Sequence, residues 1–269
     1  MNICLFSEEE IGKPLSLNDK RAKHIVGILH KNAGDTFFAG VIGGMAGSAK
    51  ITSISKDLIH YTFSPETSGK ELAPLQLVIG FPRPIQLRRL FRDVAGLGVS
   101  QVHLVGTELG EKSYLQSSII KTGEAERLLL DGTVQAASTH VPALFLHNTL
   151  YEYLSFLNKS ANCKKNADYV NCAKTLEVSD KSFSKSESIK IALDLVNTSG
   201  SFSTFLKNAN LTNKTVIVAI GSERGWTDNE RNILESAGFT RYSMGKRILR
   251  TETAATVASS LVLGAMGRL

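Results

Sequence analysis

The sequence contains no run approaching the roughly 20 consecutive apolar residues that a membrane-crossing helix needs. Its amino terminus, MNICLFSEEE, lacks the basic segment and longer apolar stretch of a secretory signal. Cysteine is scarce. Cys4, Cys163 and Cys172 are the only three, an odd number without the short spacing of zinc ligands. A disulfide scaffold and a metal site are therefore not expected, and a reducing compartment is. These absences together predict a cytoplasmic protein with no membrane partner and no metal.

Several catalytic signatures are also missing. No G-x-G-x-x-G follows the first strand of the α/β pattern, which argues against a dinucleotide-dependent oxidoreductase. No two histidines stand at H-x-x-x-H spacing, and no serine or cysteine sits on a nucleophile elbow. The stretch from Gly106 to Ser113 imitates a phosphate-binding loop, but its glycine spacing is one residue short and Glu111 stands where a phosphate would lie. His103, inside an apolar strand, reads as a satisfied interior residue rather than a ligand.

What is present is an ordinary globular composition over 269 residues, 42% hydrophobic and 21% charged, with a net charge of +6. The length accommodates two domains. The positive surplus favours a polyanionic partner such as nucleic acid.

Residues 1–70 read as β-rich. Short strands are predicted at Phe37–Ala39, Ala49–Ile54 and Leu58–Phe63, with Gly43, Gly44 and Gly47 marking a hairpin. One helix, Leu17–His30, interrupts them. Ser64–Lys70 is polar and rich in turn formers, and a linker is placed there. From residue 71 the pattern alternates. Leu75–Phe81 is a strand. A helix follows with Pro84 in its first turn, an apolar stripe of Leu87, Leu90, Phe91, Val94 and Leu97, and Gly98 at its end. Val102–Val105, Ala143–Leu146, Ile191–Val196 and Val216–Ile220 read as further strands, and Glu124–Ala137 as a helix. Short buried strands alternating with helices imply a mostly parallel sheet. Asn158–Lys190, rich in Lys, Ser and Asn, reads as a helix followed by a loop.

Two loops stand out near the carboxyl terminus. After Val216–Ile220 comes Gly221-Ser222-Glu223-Arg224-Gly225-Trp226, and then Thr227 and Glu230 at capping-box spacing. A glycine-bearing loop between a buried strand and a helix start is where ligands bind in open α/β sheets. A plain βα turn would have the same local pattern. The architecture then repeats: a strand at Phe239–Met244, a loop at Gly245–Arg250, and a helix from Thr251 or Thr253. Lys246, Arg247 and Arg250 crowd the start of that helix, where the dipole is already positive. Glu252 offsets part of that repulsion. The rest suggests an external anion such as phosphate, or a buried ion pair.

The pairing of IGSERGWTDNE (Ile220–Glu230) with MGKRILRTETA (Met244–Ala254) resembles the RsmE family of ribosomal RNA methyltransferases, which belong to the SPOUT class. HIVGILHKNAGD (His24–Asp35), LGVSQVHLV (Leu97–Val105) and VQAASTHVP (Val134–Pro142) are similar to other blocks of that family. The resemblance spans nearly the whole chain except about 150–188.

The resemblance implies an α/β fold: a SPOUT trefoil-knotted methyltransferase domain over 71–269, with an N-terminal PUA-like RNA-binding β-barrel over 1–70. It implies S-adenosyl-L-methionine as cofactor, a homodimer, and methylation at N3 of a uridine in the RNA of the small (30S) ribosomal subunit. The cofactor residues it implies are Ile220, Gly221, Glu223 and Gly225 in the first loop. In the second they are Met244, Gly245, Arg247, Ile248, Leu249 and Thr253, with Leu195 and Val196 as a third wall. Arg250 is the expected catalytic residue, stabilising charge on the target base. Glu223 is a candidate base, with a loop-organising role preferred. Lys23, His30, Lys31, Arg83, Lys112 and Arg224 are the expected RNA-binding residues.

The chain departs from the family pattern at Ser222 and Arg224 in the first loop, at Gly96 where a glutamate is usual, and at Thr139 or His140 and at His30 where arginines are usual. Those departures motivate an alternative, an RNA-binding ribosome-assembly factor with weak catalysis on the same fold.

Overall fold

The computed structural model describes residues 2–162 and 188–269. Cys163, Cys172 and the loop expected after the helix in Asn158–Lys190 lie outside the described residues. The chain divides into two compact units, Met1–Glu71 with Leu130–Val141, and Leu72–Leu129 with Pro142–Leu269.

The first unit is built on a five-stranded sheet in the order β1-β3-β4-β5-β2. Its strands are β1 (Cys4–Phe6), β2 (Leu15–Ser16), β3 (Thr36–Val41), β4 (Ala46–Ile54) and β5 (Leu58–Thr67). It forms the curled half-barrel of a PUA-like module. Phe6, Ile25, Phe37, Ile51, Ile59 and Tyr61 fill its core.

Three local expectations change here. Gly47 lies inside β4 rather than in the hairpin turn, at a shift of register, where a Cβ would collide with the Ser64 carbonyl. The expected linker is partly strand, since β5 runs through Pro65 opposite that same irregularity, where a missing N–H is tolerated. The expected helix is one turn, α1 (Lys20–Ala22), that widens into a π-helix over Lys23–Ile28.

Leu130–Val141 joins this unit although it lies far along the chain. Leu130, Val134 and Ala137 pack on Ile3, Leu5 and Ala46. Thr139 is fully buried, donating from Oγ1 to the Gly44 carbonyl at 2.7 Å and accepting from the Gly43 N–H at 2.8 Å. Of the two candidate positions where an arginine is usual, Thr139 is a structural contact and His140 is half-buried.

The second unit is a parallel sheet of six strands among the described residues, in the order β11-β9-β10-β6-β7-β8. These are β6 (Ala73–Gly80), β7 (Val99–Val105), β8 (Ala143–His147), β9 (Ser188–Leu193), β10 (Thr215–Ile220) and β11 (Thr240–Tyr242). The helices are α2 (Pro84–Gly96), α3 (Ser118–Lys121), α4 (Glu124–Gln135), α5 (Leu150–Asn162), α6 (Phe202–Asn208), α7 (Asp228–Ser236) and α8 (Thr251–Ala265). α4 continues from this unit into the first.

Every residue of β10 is buried, as expected of a strand covered on both faces. Ile217 and Ala219 pack with α5 and α7 through Tyr153, Leu154 and Leu234. Alternation turns Val216, Val218 and Ile220 to the other face, where α8 packs on β6, β10, α2 and α6. Gly98 and Gly238 take positive φ just past α2 and α7, as their terminal positions predict. His103 is buried, with Nδ1 3.1 Å from His147 Nε2 and Nε2 3.2 Å from Gln101 Oε1.

Candidate active site

The strand order reverses beside β6, whose neighbours are β7 on one side and β10 on the other. Parallel pairing sends the carboxyl ends of β6, β9, β10 and β11 to one edge, and a reversal at such an edge opens a crevice. Four loops gather there: Phe81–Arg83, the segment after Leu193, Gly221–Trp226 and Ser243–Arg250.

Glycine permits their close approach. A Cβ on Gly80 would fall on the Ser222 amide nitrogen, 2.8 Å from the Gly221 carbonyl carbon and 2.9 Å from Thr107 Cγ2. The loop after β10 therefore lies flat against the end of β6. Within it the Gly225 N–H donates to the Ser222 carbonyl at 2.8 Å, and Gly225 has φ 72°, a conformation that suits glycine. Thr251, at the start of α8, donates from Oγ1 to the Gly221 carbonyl through a long hydrogen bond of 3.5 Å. The first of the two loops that the sequence singles out thus touches the helix start that directly follows the second.

Each loop is anchored. Trp226 is buried and donates from Nε1 to the carbonyl of Leu193, the last residue of β9, at 3.2 Å. The capping box is formed: Thr227 Oγ1 accepts from the Glu230 N–H at 3.1 Å, and Glu230 Oε2 accepts from the Thr227 N–H at 3.0 Å. The other oxygen of the buried Glu230 accepts from the Glu108 N–H at 2.9 Å, and Glu108 in turn accepts from Thr227 Oγ1 at 2.6 Å and Asn229 Nδ2 at 2.5 Å. Those side-chain donors, Thr227 first, lower the Glu108 pKa. Glu223 Oε1 accepts from the Arg83 N–H at 2.9 Å, bridging the loops after β10 and β6.

The third wall differs from expectation. β9 ends at Leu193, so Leu195 and Val196 stand in the loop beyond it, 55% and 43% exposed. The cause is Asp194. Its Oδ1 accepts from the Leu195 N–H at 2.7 Å and the Val196 N–H at 3.3 Å, which turns the chain. Its side chain is 5% exposed and pairs with Arg231 at 2.7 Å and Arg241 at 3.3 Å. Burial works to raise the Asp194 pKa, but the Arg231 hydrogen bond, the two amides and the Arg231 charge together hold it below the ordinary carboxylate value. Arg241 Nη1 also donates to the Val196 carbonyl at 2.6 Å.

Of the remaining expected residues, Ile220 is buried at the end of β10 and Met244 is half-buried. Gly245 has φ 112° and exchanges 3.2 Å contacts with Ser243 Oγ. Lys246, Arg247, Ile248, Leu249 and Arg250 are exposed, and among the described residues those three cations enter no ion pair. Glu252 enters no ion pair with them among the described residues. It is buried, and its Oε2 has no partner. Thr253 is exposed; Thr251 is the threonine that touches the first loop. Arg83, Arg224 and Lys112 are exposed, Lys112 in a 3₁₀ turn after β7. Lys23, His30 and Lys31 belong to the first unit.

Trp226 and Thr251 lie in the stretches that the sequence singles out, whereas Asp194 carried no such signal and Gly80 only its position at the end of an apolar strand.

These residues fit S-adenosylmethionine. Leu195, Val196, Ile248 and Leu249 offer exposed apolar surface for a flat ring. The glycine turn exposes main chain. Ser222 Oγ and Thr107 Oγ1, buried on either side of Gly80, have no hydrogen-bond partner.

The family model described as RNA methyltransferase domain matches residues 70–263. The chain is 39% identical over 98% of its length, and 91% of the relative's, to the ribosomal RNA small subunit methyltransferase E of Treponema pallidum. It is 29% identical over 97% of both chains to ribosomal RNA small subunit methyltransferase E 1 of Borreliella burgdorferi. The crystal structure of a ribosomal RNA small subunit methyltransferase E from Neisseria gonorrhoeae bound to S-adenosyl methionine superposes with a TM-score of 0.67, covering 98% of this chain and 97% of that one at 18% identity, which establishes the shared SPOUT fold. The chain therefore belongs to the RNA methyltransferase domain family, within its ribosomal RNA small subunit methyltransferase E members.

Proposed function

We propose that the protein uses S-adenosylmethionine to methylate N3 of a uridine in small-subunit ribosomal RNA. The observation that carries this reading is the contact of the Gly221–Trp226 loop, at Gly221, with Thr251, the first residue of α8 directly after Arg250, beside unpartnered hydroxyls and exposed apolar side chains. The family supplies the reaction class.

Bound there, S-adenosylmethionine supplies a methyl group activated by a sulfonium. Leu195, Val196, Ile248 and Leu249 would hold its adenine against apolar surface, and the turns at Gly221, Gly225 and Gly245 would offer main-chain groups to its polar atoms. Uridine N3 must shed its proton, which passes to solvent, to become nucleophilic, leaving negative charge shared by N3 and the exocyclic O2 and O4. Arg250, which occupies the N-cap position of α8 without capping it, presents its guanidinium to that charge. Arg247 meets a phosphate. Glu223 acts as an organiser rather than a base, because its carboxylate is engaged with the Arg83 N–H. Arg83, Lys112 and Arg224, with Lys23, His30 and Lys31 of the first unit, hold the RNA backbone.

The proposal extends to a homodimer, for which α8 presents Val257 and Leu261, 37% and 39% exposed and one turn apart. It extends also to a trefoil knot in the β9–β11 region and to action in the cytoplasm.

The test is mass-spectrometric mapping of ribosomal RNA from cells lacking the protein. One methyluridine should vanish from the small-subunit RNA; an unchanged map refutes the reading. Calorimetric titration with S-adenosylmethionine separates the enzyme from the assembly factor, since the latter predicts no binding.

A further inference from the structure

The first unit contains a cavity of about 250 Å³ whose composition the core does not explain. Its floor is apolar, with Ile25 and Phe37 buried. Its rim carries two exposed apolar side chains, Leu29 at 44% and Phe38 at 40%, and the half-buried Lys31. His24 is in its wall. The Nε2 atom of that ring is shielded from solvent and has no hydrogen-bond partner.

The wall itself is irregular. His24 and Ile25 lie in the π-helix, whose wide turn is closed by the Leu29 N–H on the His24 carbonyl at 2.9 Å. Between Leu29 and Lys31 the chain passes through His30 at φ 52°, a left-handed conformation unusual outside glycine, and the Lys31 N–H then reaches the Ile25 carbonyl at 3.1 Å. Isolated π-turns and left-handed residues are costly and concentrate at binding sites. Here they hold an aromatic nitrogen, two apolar rims and a cation around one opening.

The volume is below the roughly 300–1,000 Å³ of pockets for drug-sized ligands, so the occupant is one small ring system. It must have an apolar face for Phe38 and Leu29, a polar edge for His24 Nε2 and a neighbouring negative charge for Lys31. An unpaired nucleotide of RNA has all three: bases splayed from single strands stack on aromatic side chains and bond along their edges. We propose that this cavity captures one unpaired base of the RNA substrate, with His24 reading its edge, Phe38 and Leu29 stacking, and Lys31 on the adjoining phosphate. This rests on the RNA reading of the function, but it concerns a site remote in sequence from the methyl-transfer loops.

The experiment uses the full chain and a protein-free small-subunit ribosomal RNA transcript, with affinities measured across a salt series. His24→Phe keeps an aromatic ring and removes the nitrogen; Phe38→Ala removes an exposed ring and leaves the core intact. Each should weaken RNA binding by about tenfold, within the range for one stacked base. Neither should change the slope of affinity against salt, because no phosphate contact is lost. His24→Gln should recover part of the loss. Lys31→Ala should reduce the salt slope by about one counterion. S-adenosylmethionine affinity should stay at the wild-type value throughout. RNA affinities of His24→Phe and Phe38→Ala within twofold of wild type would overturn the proposal. So would a mononucleotide such as UMP binding the wild type as tightly as the transcript, which would make the cavity a free-nucleotide site. A wild-type chain that binds S-adenosylmethionine but not the transcript would instead overturn the RNA reading, and this inference with it.

Discussion

Gly80→Ala is a sharp test of the site, because it acts on geometry without removing any chemical group. The added carbon would lie on the Ser222 nitrogen and within 2.8 Å of the Gly221 carbonyl carbon. Both are backbone atoms, so no side chain can rotate aside. Restoring ordinary contact of about 3.5 Å requires the Gly221–Trp226 loop or the end of β6 to shift by about 1 Å. Overpacking of this kind costs about 1–3 kcal/mol. For a unit of this size a 2 kcal/mol loss lowers Tm by about 4–8 °C. A shift of 1 Å in a positioning element reduces turnover by about 100-fold.

The control is Gly98→Ala. Gly98 has φ 78°, and nothing lies within 4 Å of the place its Cβ would take, so alanine there costs about 1–2 kcal/mol of backbone strain and moves no loop. Calorimetric titration with S-adenosylmethionine and a methyl-transfer assay on both variants, below their melting temperatures, would separate the effects. Gly80→Ala should lose cofactor affinity and turnover, while Gly98→Ala should melt early and otherwise behave as wild type. A Gly80→Ala protein that binds the cofactor and turns over normally would refute the assignment of this loop to the site.

Three further outcomes are expected. Arg250→Ala should lower methyl transfer by at least about 100-fold, the cost of removing one charge-stabilising donor, with cofactor affinity changed only a few fold; an active variant removes Arg250 from the chemistry. Asp194→Ala leaves Arg231 and Arg241 without their shared buried carboxylate and should cost about 3 kcal/mol at pH 7 in urea unfolding. Because the folded pKa of Asp194 is lowered, its stabilisation is complete above the unfolded carboxyl value near 4 and is lost as pH falls through the folded value, so variant and wild type should converge in strong acid. His103 behaves differently, since burial first, and then His147, push its pKa down to about 3. The unfolded chain takes up that proton near pH 6.5 while the folded chain resists it, so wild-type stability should decline as pH falls from 6.5 toward about 3. His103→Phe should flatten that decline in urea midpoints; an equal slope would show that the histidine pair is not its source.

Much of the second unit was legible because its signals are local. The Thr227–Glu230 capping box, the terminal glycines at 98 and 238, and the unbroken apolar run of β10 each depend on neighbours within a few residues, and each formed where expected. The first unit was less legible. Its strands β1 and β2 are only three and two residues long, too short for a period to declare itself. Its π-helix has the composition of an ordinary amphipathic helix. Asp194 was read as part of a strand over Ile191–Val196, because the arginines that define it come from α7 and β11.

By itself the sequence determined most elements of the second unit and the two loops of unusual chemistry, since periodicity, capping and turn preference are written into short stretches of chain. Only the tertiary structure decided that β10 lies between β9 and β6, that Leu130–Val141 completes the first unit, and that Glu223 holds the amide of Arg83 across 140 positions. Those contacts depend on which strands pair and on backbone close enough to touch. At Gly80 that closeness required the absence of a single carbon atom, a condition that acquires meaning only when two distant segments meet.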